Sequence, residues 1–141
     1  PADKPRYLMG VGRPEDIVEG IGCGIDLFDC VMPTRSGRNA LAFTDDGNVK
    51  MRNACHKRDP RPVESGCPCY CCANFSRAYL HHLFASEEML GPTLLSLHNV
   101  AYYLRLAARC REAIERNRWG PFRAGYLARR DGVPYDERFA N

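Results

Sequence analysis

The hydrophobic pattern in the first part of the chain consists of short apolar runs separated by turn residues. Residues 6–10 and 25–31 are two such runs, and each predicts a buried β-strand. Pro14, between them, suits the first turn of a helix, and Glu15 and Asp16 are favourable to the dipole of that turn. A strand, a helix and a strand in close succession predict a βαβ unit with parallel strands.

The pattern changes after Pro33. Apolar residues at every second position flank the pair Asp46-Gly47, which is a strong signal for a β-hairpin. The alternating apolar positions are Leu41, Phe43, Val49 and Met51. Residues 53–66 are polar and lead into a cluster of cysteines.

The C-terminal half repeats apolar residues at helical spacing. One helix is predicted over residues 76–85, with Tyr79 and Leu83 on one face, and a shorter one over residues 122–129. A longer helix, running to about Asn117, is predicted from Leu97, Val100, Leu104, Ala107, Ala108 and Ile114. These helices carry apolar side chains on more than one face, at Tyr79, Leu80, Leu83, Phe84, Tyr103 and Leu104. Their second face must therefore be buried against something.

Composition limits the size of the hydrophobic core and indicates the cellular compartment. With 141 residues, 45% of them hydrophobic, the chain is large enough for one ordinary core. A net charge of +3 is mild and by itself indicates no nucleic-acid partner. Eight cysteines without a signal peptide or an apolar membrane run predict a reducing cytoplasm and no membrane partner. The polar start at Pro1, without an initiator Met, leads us to expect a C-terminal fragment of a longer protein.

The cysteine cluster is the strongest chemical signal. Cys67, Cys69 and Cys72 can wrap one ion within a tight loop, and His98 can supply the fourth corner of a tetrahedral zinc site. Four protein ligands leave no open position, so one structural Zn²⁺ per chain is expected. Two alternatives stay open: disulfides, which the adjacent Cys71 and Cys72 disfavour, and a redox pair of Cys69 and Cys72.

The predicted elements favour an α/β fold of a particular kind. Two βα units are too few for a doubly wound sheet, but they suit the last part of a TIM (β/α)₈ barrel with a zinc-binding helical subdomain. The predicted organisation is barrel units and hairpin over residues 1–52, the zinc subdomain with C-terminal helices over 53–130, and a loose tail over 131–141.

Asp29 and a basic segment are the candidate catalytic and binding features. Asp29 ends an apolar row shared with Ile25 and Leu27, which is how a nucleophilic carboxylate is presented, although it also suits a residue that caps a turn. Residues 33–38 are predicted to form a loop in which Arg35 and Arg38 can contact phosphates and base edges, or simply face solvent.

Several of these segments together resemble one known family. Residues 26–39, DLFDCVMPTRSGRN, resemble the nucleophile segment of the bacterial tRNA-guanine transglycosylases, and YLMGVG at 7–12 resembles the preceding strand. The set Cys67, Cys69, Cys72 and His98 resembles the zinc site of that family, and residues 76–82 and 98–102 are similar too. The resemblance extends from about Lys4 to Arg130.

The resemblance implies a pentosyltransferase that exchanges guanine at the tRNA wobble position on the route to queuosine. Asp29 would be the nucleophile of a double displacement through a covalent ribose intermediate. Met9 and Gly10 would line the base pocket. The implied RNA-binding residues are Gly10, Val11, Gly12, Arg13, Pro14, Glu15, Asp16, Thr34, Arg35, Ser36, Gly37 and Arg38.

The resemblance also implies what this chain lacks and what it pairs with. Enzymes of the family are well over twice as long, and their second catalytic aspartate and base-recognition groups lie in the N-terminal part, so this chain alone is expected to be inactive. The bacterial Ser-Gly-Arg-Asn pattern implies prequeuine as the incoming base, tRNA and not DNA as partner, and a homodimer formed through the zinc region. The alternatives are a non-catalytic paralogous subunit and a free-standing zinc and RNA-binding module.

Overall fold

The computed structural model describes residues 3–130, which form a mixed α/β structure. The predicted tail at 131–141 lies outside the described residues. No helix within 3–130 combines the length and apolarity needed to cross a bilayer. The elements are β1 (Tyr7–Met9), α1 (Pro14–Gly22), β2 (Leu27–Asp29), α2 (Met32–Arg38), β3 (Leu41–Thr44), β4 (Gly47–Lys50), a 3-10 helix (Ala54–His56), α3 (Tyr70–Asn74), α4 (Arg77–Ala85), α5 (Leu90–Glu115) and α6 (Trp119–Arg130).

The predicted parallel βαβ unit is confirmed. Strands β1 and β2 pair in parallel, with Met9 opposite Asp29, and α1 begins at Pro14 as predicted. The prediction that both strands are buried is wrong for these residues, because Leu27 is 54% exposed. Only one face of the pair is covered by α1: the ring of Phe28 lies against Gly20, where an added Cβ would come within 2.9 Å of it.

The predicted hairpin is also confirmed, although its turn lies one residue earlier. Thr44 faces Gly47 in the antiparallel register, so the turn residues are Asp45 and Asp46. Strand β3 is buried along its whole length and not only at alternate positions. Its two faces contact two different hydrophobic clusters, with Ala42 in one and Phe43 in the other.

The predicted loop over residues 33–38 is wrong, because this segment lies within helix α2. Its Ser-Gly pair is buried and serves close packing against α5. A Cβ built on Gly37 would lie 2.7 Å from the backbone nitrogen of Ser96, so the two helices can approach this closely only at a glycine. The energy of helix contact therefore outweighs the low helix propensity of glycine.

Helix α5 turns a different face to the core from the one predicted. Leu97 and Leu104, taken as core positions, are 49% and 68% exposed, and Val100 and Ile114 are exposed too. The buried face consists of Gly91, Leu94, Leu95, His98, Asn99, Tyr102, Leu106, Cys110 and Ala113. Because this buried face includes polar side chains, the spacing of apolar residues did not predict it.

Helix α4 starts as predicted, with the Ser76 hydroxyl accepting a hydrogen bond from the Tyr79 N–H. Tyr79 and Leu83 do not share a buried face, however. Leu83 is 5% exposed and packs in the core with Leu80 and Phe84, whereas Tyr79 is 38% exposed.

Arg130 fastens the last helix, α6, to the rest of the structure. Its guanidinium donates to the Glu15 carboxylate, to the Thr44 carbonyl oxygen and to Asn48 Oδ1, and its side chain is 1% exposed. A buried guanidinium with this many acceptors is compensated for the loss of water. It joins α6 to the start of α1 and to the hairpin.

Asn99 joins three elements through one buried amide. Its Oδ1 accepts from the Phe43 N–H at 3.0 Å, and its Nδ2 donates at 2.9 Å to the carbonyl oxygens of Pro33 and Leu41. The Phe43 N–H and the Leu41 carbonyl oxygen lie on the edge of β3 that faces away from β4. Asn99 therefore satisfies backbone groups that would otherwise be buried without partners.

We predict that Asn99→Ala lowers the free energy of unfolding by about 3 kcal/mol or more, because it leaves the buried Phe43 N–H and Leu41 carbonyl unpaired and removes the bond to Pro33. Urea unfolding measures the loss. The control is Asn39→Ala, which removes a 2.8 Å hydrogen bond to the Arg35 carbonyl at an exposed position and should cost about 0.5 kcal/mol. Equal losses in the two variants would contradict this role for Asn99.

Candidate metal centre and carboxylate site

The four predicted metal ligands come together at one point. Cys67, Cys69, Cys72 and His98 each offer one ligand atom, and these atoms all lie within 4.8 Å of one another. From His98 Nδ1, the Sγ atoms of Cys67, Cys69 and Cys72 lie at 3.9, 3.6 and 3.3 Å. All eight cysteines are free thiols, so the disulfide alternative is not realised.

These distances fit a tetrahedral ion of the size of zinc. Bonds of about 2.3 Å to sulfur and about 2.0 Å to nitrogen place neighbouring tetrahedral ligands about 3.5–3.8 Å apart. The four donors need only small shifts to reach that geometry. The arrangement can therefore hold a metal ion with all four positions filled by the protein.

Local structure presents each ligand in a defined orientation. Cys69 is the N-cap of α3, and its sulfur accepts from the Cys72 N–H at 3.4 Å. His98 lies on the buried face of α5, and its Nε2 donates to the Phe43 carbonyl oxygen at 2.9 Å. A proton on Nε2 leaves the Nδ1 lone pair directed at the three sulfurs, which is the tautomer that a metal ligand requires.

Hydrogen bonds link the donor groups to one another. The hydrogen bond from the Cys72 thiol lowers the pKa of Cys69 to about 3, and the same bond raises the pKa of Cys72. Burial lowers the pKa of His98, but its bonds to Cys67 and Cys69 outweigh burial and raise it to about 9. A metal ion must therefore displace protons when it binds.

The remaining cysteine of the cluster is a core residue. Cys71 is fully buried in the cluster formed with Leu80 and Leu95, and burial raises the pKa of its thiol to about 12. Such a thiol is unreactive at neutral pH.

His81, one of two other histidines near the site in sequence, contacts the Met51 carbonyl oxygen at 2.8 Å through Nδ1.

Asp29 lies at the carboxyl end of β2, directly beside Met9 at the end of β1. Its Oδ1 accepts hydrogen bonds from the Tyr7 hydroxyl and from the Gly10 N–H, the latter at 3.2 Å. These bonds cross to the neighbouring strand, unlike those of a residue that caps its own turn. They lower the pKa of the Asp29 carboxyl, with the Tyr7 bond as the larger cause.

The Asp29 carboxylate is thus exposed, ionised at neutral pH and oriented by two donors. Tyr7 was not singled out from the sequence. The sequence alone could not identify it, because the contact depends on strand register: Tyr7 pairs with Leu27, two residues before Asp29, and residues two apart on a strand share a face. The hydrogen bond to Asp29 also raises the pKa of the Tyr7 phenol, which keeps the hydroxyl protonated as a donor.

The two candidate RNA-binding segments are neighbours in the structure. Residues 10–16 comprise the connection from β1 to α1 and the first turn of α1, and residues 34–38 form most of α2. The Gly12 carbonyl oxygen accepts from the Tyr103 hydroxyl and lies 3.8 Å from Cys30 Sγ, two residues before α2. Both segments therefore flank the strand end that carries Asp29.

The members of these segments differ in what they can offer a ligand. Gly10 and Arg38 are exposed, whereas Ser36 and Gly37 are buried. Glu15 pairs with the buried Arg130 and lies 3.8 Å from an Arg13 nitrogen. The half-buried members are Val11, Arg13, Asp16, Thr34 and Arg35, and Gly12 and Pro14 are buried.

Comparison with known proteins identifies the family of this chain. The queuine tRNA-ribosyltransferase (TGT) family profile matches residues 1–132. The chain is 55% identical over 130 residues to the queuine tRNA-ribosyltransferase of Ralstonia pickettii and 54% identical over 134 residues to that of Pseudomonas putida. These matches cover 92% and 95% of this chain, but 34% and 36% of the relatives.

The chain combines a parallel βαβ unit, a carboxylate at the strand end and a Cys₃His cluster, and it matches tRNA ribosyltransferases over nearly all of its length. The chain belongs to the queuine tRNA-ribosyltransferase family. It spans about a third of the length of the curated relatives it matches, as the 37% for the Syntrophobacter fumaroxidans protein also shows.

We predict that affinity for Zn²⁺ rises with pH through the neutral range. The neighbouring sulfurs raise the pKa of His98 to about 9 and that of the Cys72 thiol further, so the ion must displace a proton from each of them. Each displaced proton weakens binding by up to about tenfold per unit of falling pH. Competition titration against a chromophoric chelator at several pH values, with proton release followed in weak buffer, measures the effect. Binding that does not change between pH 6 and pH 8 would contradict it.

Proposed function

We propose that this chain is the C-terminal part of a tRNA-guanine transglycosylase that exchanges guanine at the tRNA wobble position for prequeuine, in queuosine biosynthesis. Family membership supports the class of enzyme. The observation that carries the chemistry is the exposed Asp29 carboxylate, held by Tyr7 and Gly10 at the end of β2.

The proposed reaction is a double displacement. The Asp29 carboxylate attacks the anomeric carbon of the ribose, the bond to guanine breaks, and a covalent ribosyl ester forms. The incoming base then attacks the same carbon and releases Asp29, so configuration is retained. An ionised carboxylate suits this role, and the hydrogen bonds that lower its pKa also orient it.

The pair β1 and β2 fits the last strands of a (β/α)₈ barrel. Phe28 faces α1, whereas Tyr7, Met9, Leu27 and Asp29 lie on the opposite, uncovered face. In such barrels one face of each strand packs on helices and the other points into the barrel, with catalytic groups at the carboxyl ends. Met9, which is 73% exposed here, and Gly10 would then line the base pocket beside Asp29.

The segments 10–16 and 34–38 are proposed to hold the anticodon arm. Arg35 and Arg38, on α2, are suited to phosphates and splayed bases, because a guanidinium offers a planar fork of donors. Glu15, paired with Arg130, is proposed to position this segment. The buried Ser36 and Gly37 are proposed to set the distance of α2 from α5.

The metal is proposed to be one structural Zn²⁺ per chain. Three thiolates and an imidazole are a donor set that zinc favours, and a fully occupied tetrahedron leaves no position for substrate. The ion would fasten residues 67–72 to α5, and through the Phe43 carbonyl to the hairpin.

We predict that, in the full-length enzyme, Asp29→Ala abolishes the covalent tRNA adduct seen on a denaturing gel, because the carbon–oxygen bond can no longer form. Tyr7→Phe should keep the adduct but move the acid limb of the kcat/KM profile to higher pH, since loss of the phenol donor raises the pKa of Asp29. This chain alone should show no exchange.

Asp26→Ala is the matched control. Asp26 lies just before β2, and its Oδ2 accepts from the Arg6 N–H at 2.8 Å, which is a structural contact. Its replacement should leave the adduct intact. An adduct that persists without Asp29 would overturn the assignment of the nucleophile.

The full-length enzyme is further proposed to be a homodimer that pairs through the zinc region. Phe84, Leu80 and Leu83 are not available for this, because they pack in the core of this chain. Apolar groups of this region that stay exposed include Tyr70, Tyr79, Leu97, Val100 and Leu104. Exposed apolar side chains in this number favour a protein interface.

We predict that Leu104→Glu converts a dimer of the full-length enzyme to a monomer, because it places a charge in an apolar contact. Sedimentation velocity at micromolar concentration measures the state. Lys57→Glu, an exposed change of charge outside these helices, should leave the dimer intact. A monomeric wild type would contradict the proposal.

A further inference from the structure

Arg105 contacts the metal centre from outside the ligand set. It follows His98 by two helical turns, so both side chains lie on the same side of α5. One guanidinium nitrogen donates to Cys67 Sγ, and another donates to the Glu64 carboxylate. The family resemblance did not point to either residue.

Glu64 holds Arg105 in this position. The second oxygen of its carboxylate accepts from the Asp45 N–H in the hairpin turn at 2.8 Å. The Arg105 guanidinium also lies over the ring of Tyr102, 5.8 Å from its centroid. The side chains of Glu64 and Arg105 are 13% and 29% exposed, so the pair is shielded from most of the solvent.

Cys67 differs from the other two sulfurs in the kind of donor it receives. The Cys69 sulfur accepts from the backbone N–H of Cys72, and the Cys72 sulfur accepts from the backbone N–H of Glu64. Cys67 receives a backbone N–H from Cys69 and, in addition, the guanidinium of Arg105. A hydrogen bond from a charged donor is about twice as strong as one between neutral groups.

Cys67 also adjoins a cavity that opens to solvent. It lines a cavity of about 470 Å³ between the hairpin turn and residues 61–67. Arg105 and Arg109 lie on the α5 side of this cavity. A proton, a chelator or an electrophile that enters there meets the sulfur of Cys67 beside Arg105.

We propose that Arg105 is a positioning residue of the metal centre, which holds the Cys67 sulfur towards the ion and reduces its exposed negative charge. Three thiolates around a divalent ion leave a net charge of −1, and a guanidinium at hydrogen-bonding distance offsets part of it. The inference concerns retention of the metal and does not depend on the transferase activity.

The test compares Arg105→Met with Arg109→Met in the full-length, zinc-loaded protein. Arg109 lies one turn further along α5, lines the same cavity and pairs with Asp45, so it is a matched control. Release of zinc to an excess of chelator should be about 10–100-fold faster in Arg105→Met, as for loss of other outer-shell partners. Alkylation by iodoacetamide, mapped by mass spectrometry, should rise first at Cys67.

A spectroscopic measurement separates this role from a general loss of stability. With Co²⁺ in place of zinc, the sulfur-to-metal charge-transfer band should move to longer wavelength in Arg105→Met, because the thiolate loses a charged donor. Glu64→Gln, which keeps an acceptor for the Asp45 N–H, should shift the band in the same direction. Release within twofold of Arg109→Met, or an unshifted band in both variants, would overturn the proposal.

Discussion

Helix α5 satisfies the backbone of a buried edge strand with side chains, and most of the structure is arranged around that requirement. The N–H and C=O groups of Phe43 point away from β4 and are taken up by two consecutive residues of α5, Asn99 and His98. A buried edge without such partners would be strongly unfavourable. Because His98 is also the fourth donor of the metal centre, the hairpin, the helix and the metal loop are held by one short stretch of chain.

Elements with local signals were predictable from the sequence. Pro14 and the Asp46-Gly47 pair marked α1 and the hairpin because their effect acts within a few residues. Helix α2 was not predictable in this way, because a Ser-Gly pair is typical of a turn. Only the close contact between Gly37 and Ser96 explains its place in a helix. The buried face of α5 was missed for a related reason: its polar members, among them Asn99, are buried because the β3 edge needs them.

In the candidate sites, too, residues with a local signal were predicted, and residues that depend on tertiary contacts were not. Three metal ligands lie within six residues, and Cys₃His spacing alone predicted the set that the structure brings together. The partners of those ligands could not be found by spacing, because Arg105 reaches Cys67 only when α5 lies across the metal loop. Asp29 was singled out by its place at the end of an apolar run and took its expected role from the family resemblance, but its contact with Tyr7 depends on the register of two strands.

The hydrogen bond between His98 and the Phe43 carbonyl has a consequence for what happens when the metal is lost. If the ion is lost, hydrogen bonds to the sulfurs still hold the imidazole beside the Phe43 carbonyl oxygen, but less firmly than bonds to a metal, so the carbonyl can lose its donor. A strand with open backbone groups and apolar residues such as Leu41 is a template for pairing with a second chain. Loss of the metal would therefore weaken the protection of this strand edge against pairing with a second chain.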